Sequence, residues 1–171
     1  MKEKDYVQAI QFVLEKHRGQ KRIGGRPYIV HPLAVGLLVS SLTDDYYTIS
    51  AAFLHDVLED TNTTEDEIKN IFGNTVLTFV KEVTNMPKIE VDDGRVEYYI
   101  KKMSFMSPEA LLIKLADRLN NVSDLNRAYE PFKSNYSAET IAILNGISSI
   151  EMEQVHRHLI DKIFDQVRKA K

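Results

Sequence analysis

The chain has 171 residues, 43% of them hydrophobic and 27% charged, with a net charge of −3. That is the composition of one globular domain rather than a disordered segment, and the acidic balance argues against a general nucleic-acid binder. The absence of cysteine excludes disulfides, thiolate zinc sites and cysteine nucleophiles together.

The opening run MKEKDYVQAI carries charges where a signal peptide needs an apolar stretch, and no segment approaches the about 18 apolar residues of a membrane span. A cytoplasmic protein with neither membrane nor nucleic-acid partners is expected. Helical periodicity then dominates the chain. Tyr6, Ile10, Val13 and Leu14 form a first stripe, stopped at Gly19. A loop with Gly24, Gly25 and Pro27 leads to a helix opening near His31-Pro32 and running through Leu33, Val35, Leu37 and Leu38. Asp44 or Asp45 can cap the next helix, which carries Ile49, Ala52, Phe53 and Leu54 into His55-Asp56.

Thr64 with Glu67 reads as a capping box, and Gly73 as the stop of that short helix. Asn74 can cap a further helix ending near Thr84, and Met86 to Gly94 reads as a loop. Arg95 to Met106 is helical by pattern, and Ser107-Pro108-Glu109 is a strong start for the helix holding Leu111, Leu112, Leu115 and Leu119. Pro131 to Asn135 breaks the pattern before a helical tail interrupted near Gly146, on which His156 and His158 read as solvated. No alternating strand run occurs. The expectation is an all-α fold, a compact multi-helix bundle, with residues 1–171 as a single domain.

The chemistry starts at His55-Asp56. On a continuous helix the two side chains point about 100° apart and can both reach one ion beside it. Imidazole with carboxylate suits manganese, iron, zinc or cobalt. Glu59 and Asp60 follow four residues after each member of the pair, so four polar groups line one edge of an apolar helix. Clustered carboxylates repel unless a cation or proton sits among them. They also stand near a helix C-terminus, where the macrodipole disfavours anions. A functional role is the better reading of this cluster. Taken singly, Asp117 reads as a local ion pair with Lys114, sharing a face with Asn121, and His31 reads as a helix opener beside Pro32. The basic residues Lys16, Arg18, Lys21, Arg22 and Arg26 lie close in sequence and can attract an anionic ligand despite the negative total.

Taken together, four motifs occur in order: His17 to Arg22 followed by Pro27-Tyr28-Ile29-Val30-His31-Pro32; His55-Asp56; Glu59-Asp60; and Lys114-Leu115-Ala116-Asp117-Arg118-Leu119-Asn120-Asn121. From Tyr6 to Arg127 this resembles the HD-type hydrolase domain of the Rel/Spo alarmone proteins, in a stand-alone form without synthetase and regulatory domains. The resemblance implies a manganese ion held by His31, His55, Asp56 and Asp117, with Glu59 and Asp60 positioning and activating water. It implies hydrolysis of the 3′-pyrophosphate of guanosine tetra- or pentaphosphate (ppGpp, pppGpp) to GDP or GTP. Arg22 matches the arginine that packs on the base and Asn121 the asparagine near ribose and metal, while Lys21 and, more weakly, Lys88 are phosphate candidates. The chain departs from the family at Ile23, where a second basic residue is common, and at Arg26. Its C-terminal third lacks the aromatic and proline pattern of the long relatives. An adenosine alarmone or the 2′-phosphate of NADPH as substrate, a catalytically inactive alarmone-binding protein, and a homo-oligomer stay open on sequence alone.

Overall fold

Several described helices begin or end where a specific side chain or a glycine satisfies or releases the backbone. The computed structural model describes residues 6–22, 24–85 and 94–169, and among these all regular structure is helical apart from one isolated bridge between Lys21 and Pro27. The expected all-α class therefore holds. The chain divides into two compact units, Met1–Thr84 and Asn85–Lys171.

In the first unit, α1 (Val7–Lys16) buries Ala9 and Val13, so its buried stripe turns towards Ala9 and leaves Leu14 exposed. Helix α2 (Val30–Ser40) buries His31, Val35, Gly36 and Val39. Helix α3 (Tyr46–Phe53) starts at Asp45, whose carboxylate accepts from the Thr48 N–H at 2.8 Å and its hydroxyl at 2.6 Å. These two helices approach closely at Gly36, where an added Cβ would overlap the Phe53 ring.

The helix expected to continue through His55-Asp56 does not. Helix α3 ends at Phe53, residues 54–56 form a turn, and a one-turn helix α4 (Val57–Asp60) follows. The ring Nδ1 of His55 donates at 2.8 Å to the Ala52 carbonyl, the acceptor that a continued helix would assign to the Asp56 N–H. Leu54 and Asp56 have ψ of 3° and −3°, in the bridge region between helix and strand. The i, i+4 relation of Glu59 to His55 along one helix is thereby lost.

Thr64 caps α5 (Glu65–Phe72) by accepting from the Glu67 N–H at 3.2 Å, while the Glu67 carboxylate turns to Lys16 at 2.8 Å. Gly73, at φ +90°, ends α5 and also occupies the N-cap of α6 (Asn74–Val83). Asn74 is thus the first helical residue and not the cap, because a glycine tolerates that backbone.

In the second unit, α7 spans Arg95–Ser104, and α8 (Pro108–Ser123) starts from Ser107, whose hydroxyl accepts from the Ala110 N–H at 3.2 Å. A 3-10 turn (Leu125–Arg127) leads to α9 (Phe132–Gly146) and α10 (Gln154–Lys169). The break expected over 131–135 is shorter than the pattern suggested, since α9 already runs from Phe132 with Pro131 just before it, where a missing N–H is harmless. Helix α10 packs on α8, and its buried stripe includes Leu159, Ile163 and Val167. His156 belongs to that buried stripe and is 1% exposed, which corrects its reading as solvated. Its Nδ1 accepts the Glu153 N–H at 3.1 Å and its Nε2 donates to the Pro108 carbonyl at 2.9 Å. His158 is exposed. No described helix is long and apolar enough to cross a membrane.

Candidate metal centre

The first unit brings three ligand-type groups to one point. His31 reaches it from the first turn of α2, where Pro32 fixes the backbone entry. His55 and Asp56 reach it from the turn between α3 and α4, where the two bridge-region residues redirect the chain. The Nε2 atoms of His31 and His55 are 3.2 Å apart. The Asp56 Oδ2 lies 3.4 Å from the first and 3.1 Å from the second. Both histidines are buried.

A carbonyl can only accept, so the bond to Ala52 places the neutral-state proton of His55 on Nδ1 and leaves Nε2 as a lone pair. That lone pair faces a second imidazole nitrogen and a carboxylate oxygen. Such an arrangement of donors is repulsive without a proton or a cation between them, and a backbone bond at the far nitrogen is how metal-binding histidines are commonly oriented. The residues present therefore fit a divalent ion. Burial works against the charge on Asp56, but the imidazoles of His55 and His31 outweigh it and hold the carboxyl well below the usual carboxylate range.

Asp60 joins this group through Tyr28. The Tyr28 hydroxyl donates to Asp56 Oδ2 at 2.5 Å and contacts Asp60 Oδ2 at 2.7 Å. Burial, then the two carboxylates, push the phenol above its ordinary pKa, so it remains a donor. Glu59 is exposed on α4. Lys21 and Arg22 lie on a tight loop closed by backbone bonds from Arg22 to Arg26 and from Tyr28 to Gln20, both 2.9 Å; Lys21 is exposed and Arg22 half-buried. Lys88 lies outside the described residues.

Asp117 belongs to the second unit, on α8, and is 8% exposed. Its Oδ2 pairs with Lys114 Nζ at 3.3 Å and its Oδ1 accepts from Asn121 Nδ2 at 2.6 Å. Both partners sit on the same helical face, at i−3 and i+4. The next residue, Arg118, is 5% exposed and lies 5.1 Å from the ring centres of both Tyr99 and Tyr136. It also meets Glu139 at 3.3 Å and Thr140 at 3.2 Å. Burial opposes its charge, while Tyr136, Asp117 and Glu139 outweigh burial and raise its pKa.

Sequence reasoning missed Tyr28 and Gln20 as individuals. Both were inside quoted motifs, but neither is a ligand type in a His/Asp scheme, and only the fold shows what they touch.

An all-α chain with two histidines and an aspartate converging on one point has the donor set of a metal-dependent hydrolase centre. The chain belongs to the HD domain family, whose model matches residues 9–148. It is 35% identical over 168 residues to the human guanosine-3′,5′-bis(diphosphate) 3′-pyrophosphohydrolase MESH1, covering 90% of this chain and 91% of that protein. It is 44% identical over 137 residues to a guanosine-3′,5′-bis(diphosphate) 3′-pyrophosphohydrolase of Aquifex aeolicus, covering 79% of this chain. The chain spans only 20% of the length of that Aquifex relative. Among solved structures it is similar to one described as a metazoan ortholog of SpoT that hydrolyzes ppGpp and plays a role in starvation responses, with a TM-score of 0.80, 29% identity and 94% of each chain covered.

Proposed function

We propose that this chain is a manganese-dependent hydrolase that removes the 3′-pyrophosphate of ppGpp and pppGpp, giving GDP or GTP. The observation that carries the reading is the convergence of His31 Nε2, His55 Nε2 and Asp56 Oδ2 within 3.4 Å, with Asp60 held one hydroxyl away. The similarity to the human pyrophosphohydrolase MESH1, over 91% of its length, supports the substrate. Asp117 is proposed as the fourth metal donor on the strength of the motif from Lys114 to Asn121. Both units are proposed to serve one HD phosphohydrolase domain in a cytoplasmic setting, since the family model crosses the division at Thr84.

A bound divalent ion acidifies water and offsets phosphoryl charge. The chain's own residues do the rest. His31, His55 and Asp56 present lone pairs from a rigid turn and a helix start. Asp60, with Glu59 beside it, orients the attacking water and accepts its proton. Arg22 offers a planar guanidinium to the guanine, Lys21 and Lys88 offer charge to phosphate, and Asn121 offers an amide to the ribose side.

Purified protein given manganese is expected to release pyrophosphate from ppGpp, and EDTA to stop it. Metal-loaded protein that leaves ppGpp intact would overturn the proposal. Equal kcat/KM across ppGpp, its adenosine counterpart and NADPH would remove the claim for guanosine.

A further inference from the structure

The geometry points to Tyr28 as a positioning residue that fixes Asp56 and Asp60 to a single hydroxyl, with Gln20 holding the main chain of Asp60 from the other side. This rests on the proposed roles of Asp56 as a metal donor and Asp60 as the group that handles water.

Two carboxylate oxygens lie 2.5 and 2.7 Å from the same phenol oxygen. At such separations the carboxylates repel each other, and a shared donor offsets that repulsion. Asp60 needs outside support because α4 is only 4 residues long, and a single helical turn is not stable by itself. It is held at both ends: Tyr28 takes the carboxylate, and Gln20 Nε2 donates to its carbonyl at 2.7 Å.

Gln20 is itself fixed. The Asp60 carbonyl only accepts, so the amide nitrogen must face it and the amide oxygen must face His17, whose Nδ1 donates at 2.7 Å. The backbone carbonyl of Gln20 accepts the Tyr28 N–H at 2.9 Å, which closes the circuit. The His17 ring, 2% exposed, lies 5.0 Å from the Tyr28 ring and blocks one side of it, and His31 meets another edge at 5.9 Å. The phenol thus has its backbone, its ring and its hydroxyl all constrained, which is what an outer-shell orienting group requires.

The Tyr28 hydroxyl touches a proposed ligand, and the Gln20 side chain bonds to the Asp60 main chain and His17. The two are therefore expected to fail differently. In Tyr28→Phe, manganese affinity measured by calorimetry without substrate falls roughly ten-fold, and kcat on ppGpp falls roughly 10–100-fold with little change in KM. In Gln20→Ala, kcat falls while manganese affinity stays within about two-fold of the parent. A packing role alone would lower the melting temperature and leave the manganese affinity of Tyr28→Phe unchanged.

Parent-like affinity and kcat in Tyr28→Phe overturn the inference while the parent's ppGpp turnover still stands. A parent that binds manganese but spares ppGpp overturns the substrate reading, and the loss of affinity in Tyr28→Phe still supports the positioning role. A parent that binds no manganese overturns both. Should Tyr28→Phe fail to fold, Gln20→Ala decides: parent-like kcat there overturns the clamp, and reduced kcat at unchanged affinity supports it.

Discussion

The two units treat a half-buried and a buried carboxylate in opposite ways. In the first, Asp56 sits among two imidazoles and a phenol, none of them a fixed cation. In the second, Asp117 is neutralised by Lys114 and tied by Asn121 on its own helix. One carboxylate is left to be balanced from outside, and the other is balanced by the chain. A buried charge must be paired somewhere, so the first arrangement is the one that calls for an added cation, whereas the second already has one in Lys114.

The largest test of this contrast is His55→Ala. It removes a donor from the externally balanced group, and manganese binding and activity are expected to fall by more than the roughly 10–100-fold typical of an outer-shell change. Calorimetry and ppGpp turnover measure it. Lys114→Met probes the other side. It leaves Asp117 buried without its cation, and urea unfolding of the metal-free protein is expected to show a loss of about 3 kcal/mol. If Asp117 is also a metal donor, saturating manganese should narrow the gap between variant and parent, and an unchanged gap would argue that Asp117 is structural only.

Arg118→Lys is expected to cost about 1–2 kcal/mol in the same assay, because a lysine cannot present a flat face to Tyr99 and Tyr136 while bonding Glu139 and Thr140. The smallest pair is a control. Asp45→Ala in the first unit and Ser107→Ala in the second each remove a helix cap, worth about 1 kcal/mol. Neither is expected to move manganese affinity. A cap variant that did so would break the distinction between scaffold and centre.

Helix placement was legible because it depends on local signals. Asp45, Thr64, Gly73 and Ser107 are read within four residues of where they act. The Lys114, Asp117 and Asn121 face was legible for the same reason, since i+3 and i+4 spacing suffices on an unbroken helix. The turn at 54–56 was not, because apolar periodicity runs across it and the bond that stops the helix comes from the His55 side chain onto the Ala52 carbonyl. Asn74 lost the cap to a neighbour whose conformation no composition rule assigns. His156 looked solvated because its partner, the Pro108 carbonyl, lies 48 residues away. Tyr28 bridges 28 and 32 residues to its two carboxylates, a relation that only tertiary structure creates.

Gly36 gives the centre a dependence on distance. Helix α2 carries His31 at one end, and α3 delivers His55 at the other, so the axial separation of these helices helps set the 3.2 Å between the two ring nitrogens. That separation is possible because Gly36 leaves room for the Phe53 ring. One methyl at position 36 would act as a shim between the helices. The gauge of the opening between the histidines is thus set partly by a residue that never enters it, and the bore of this centre could be altered without replacing any group that lines it.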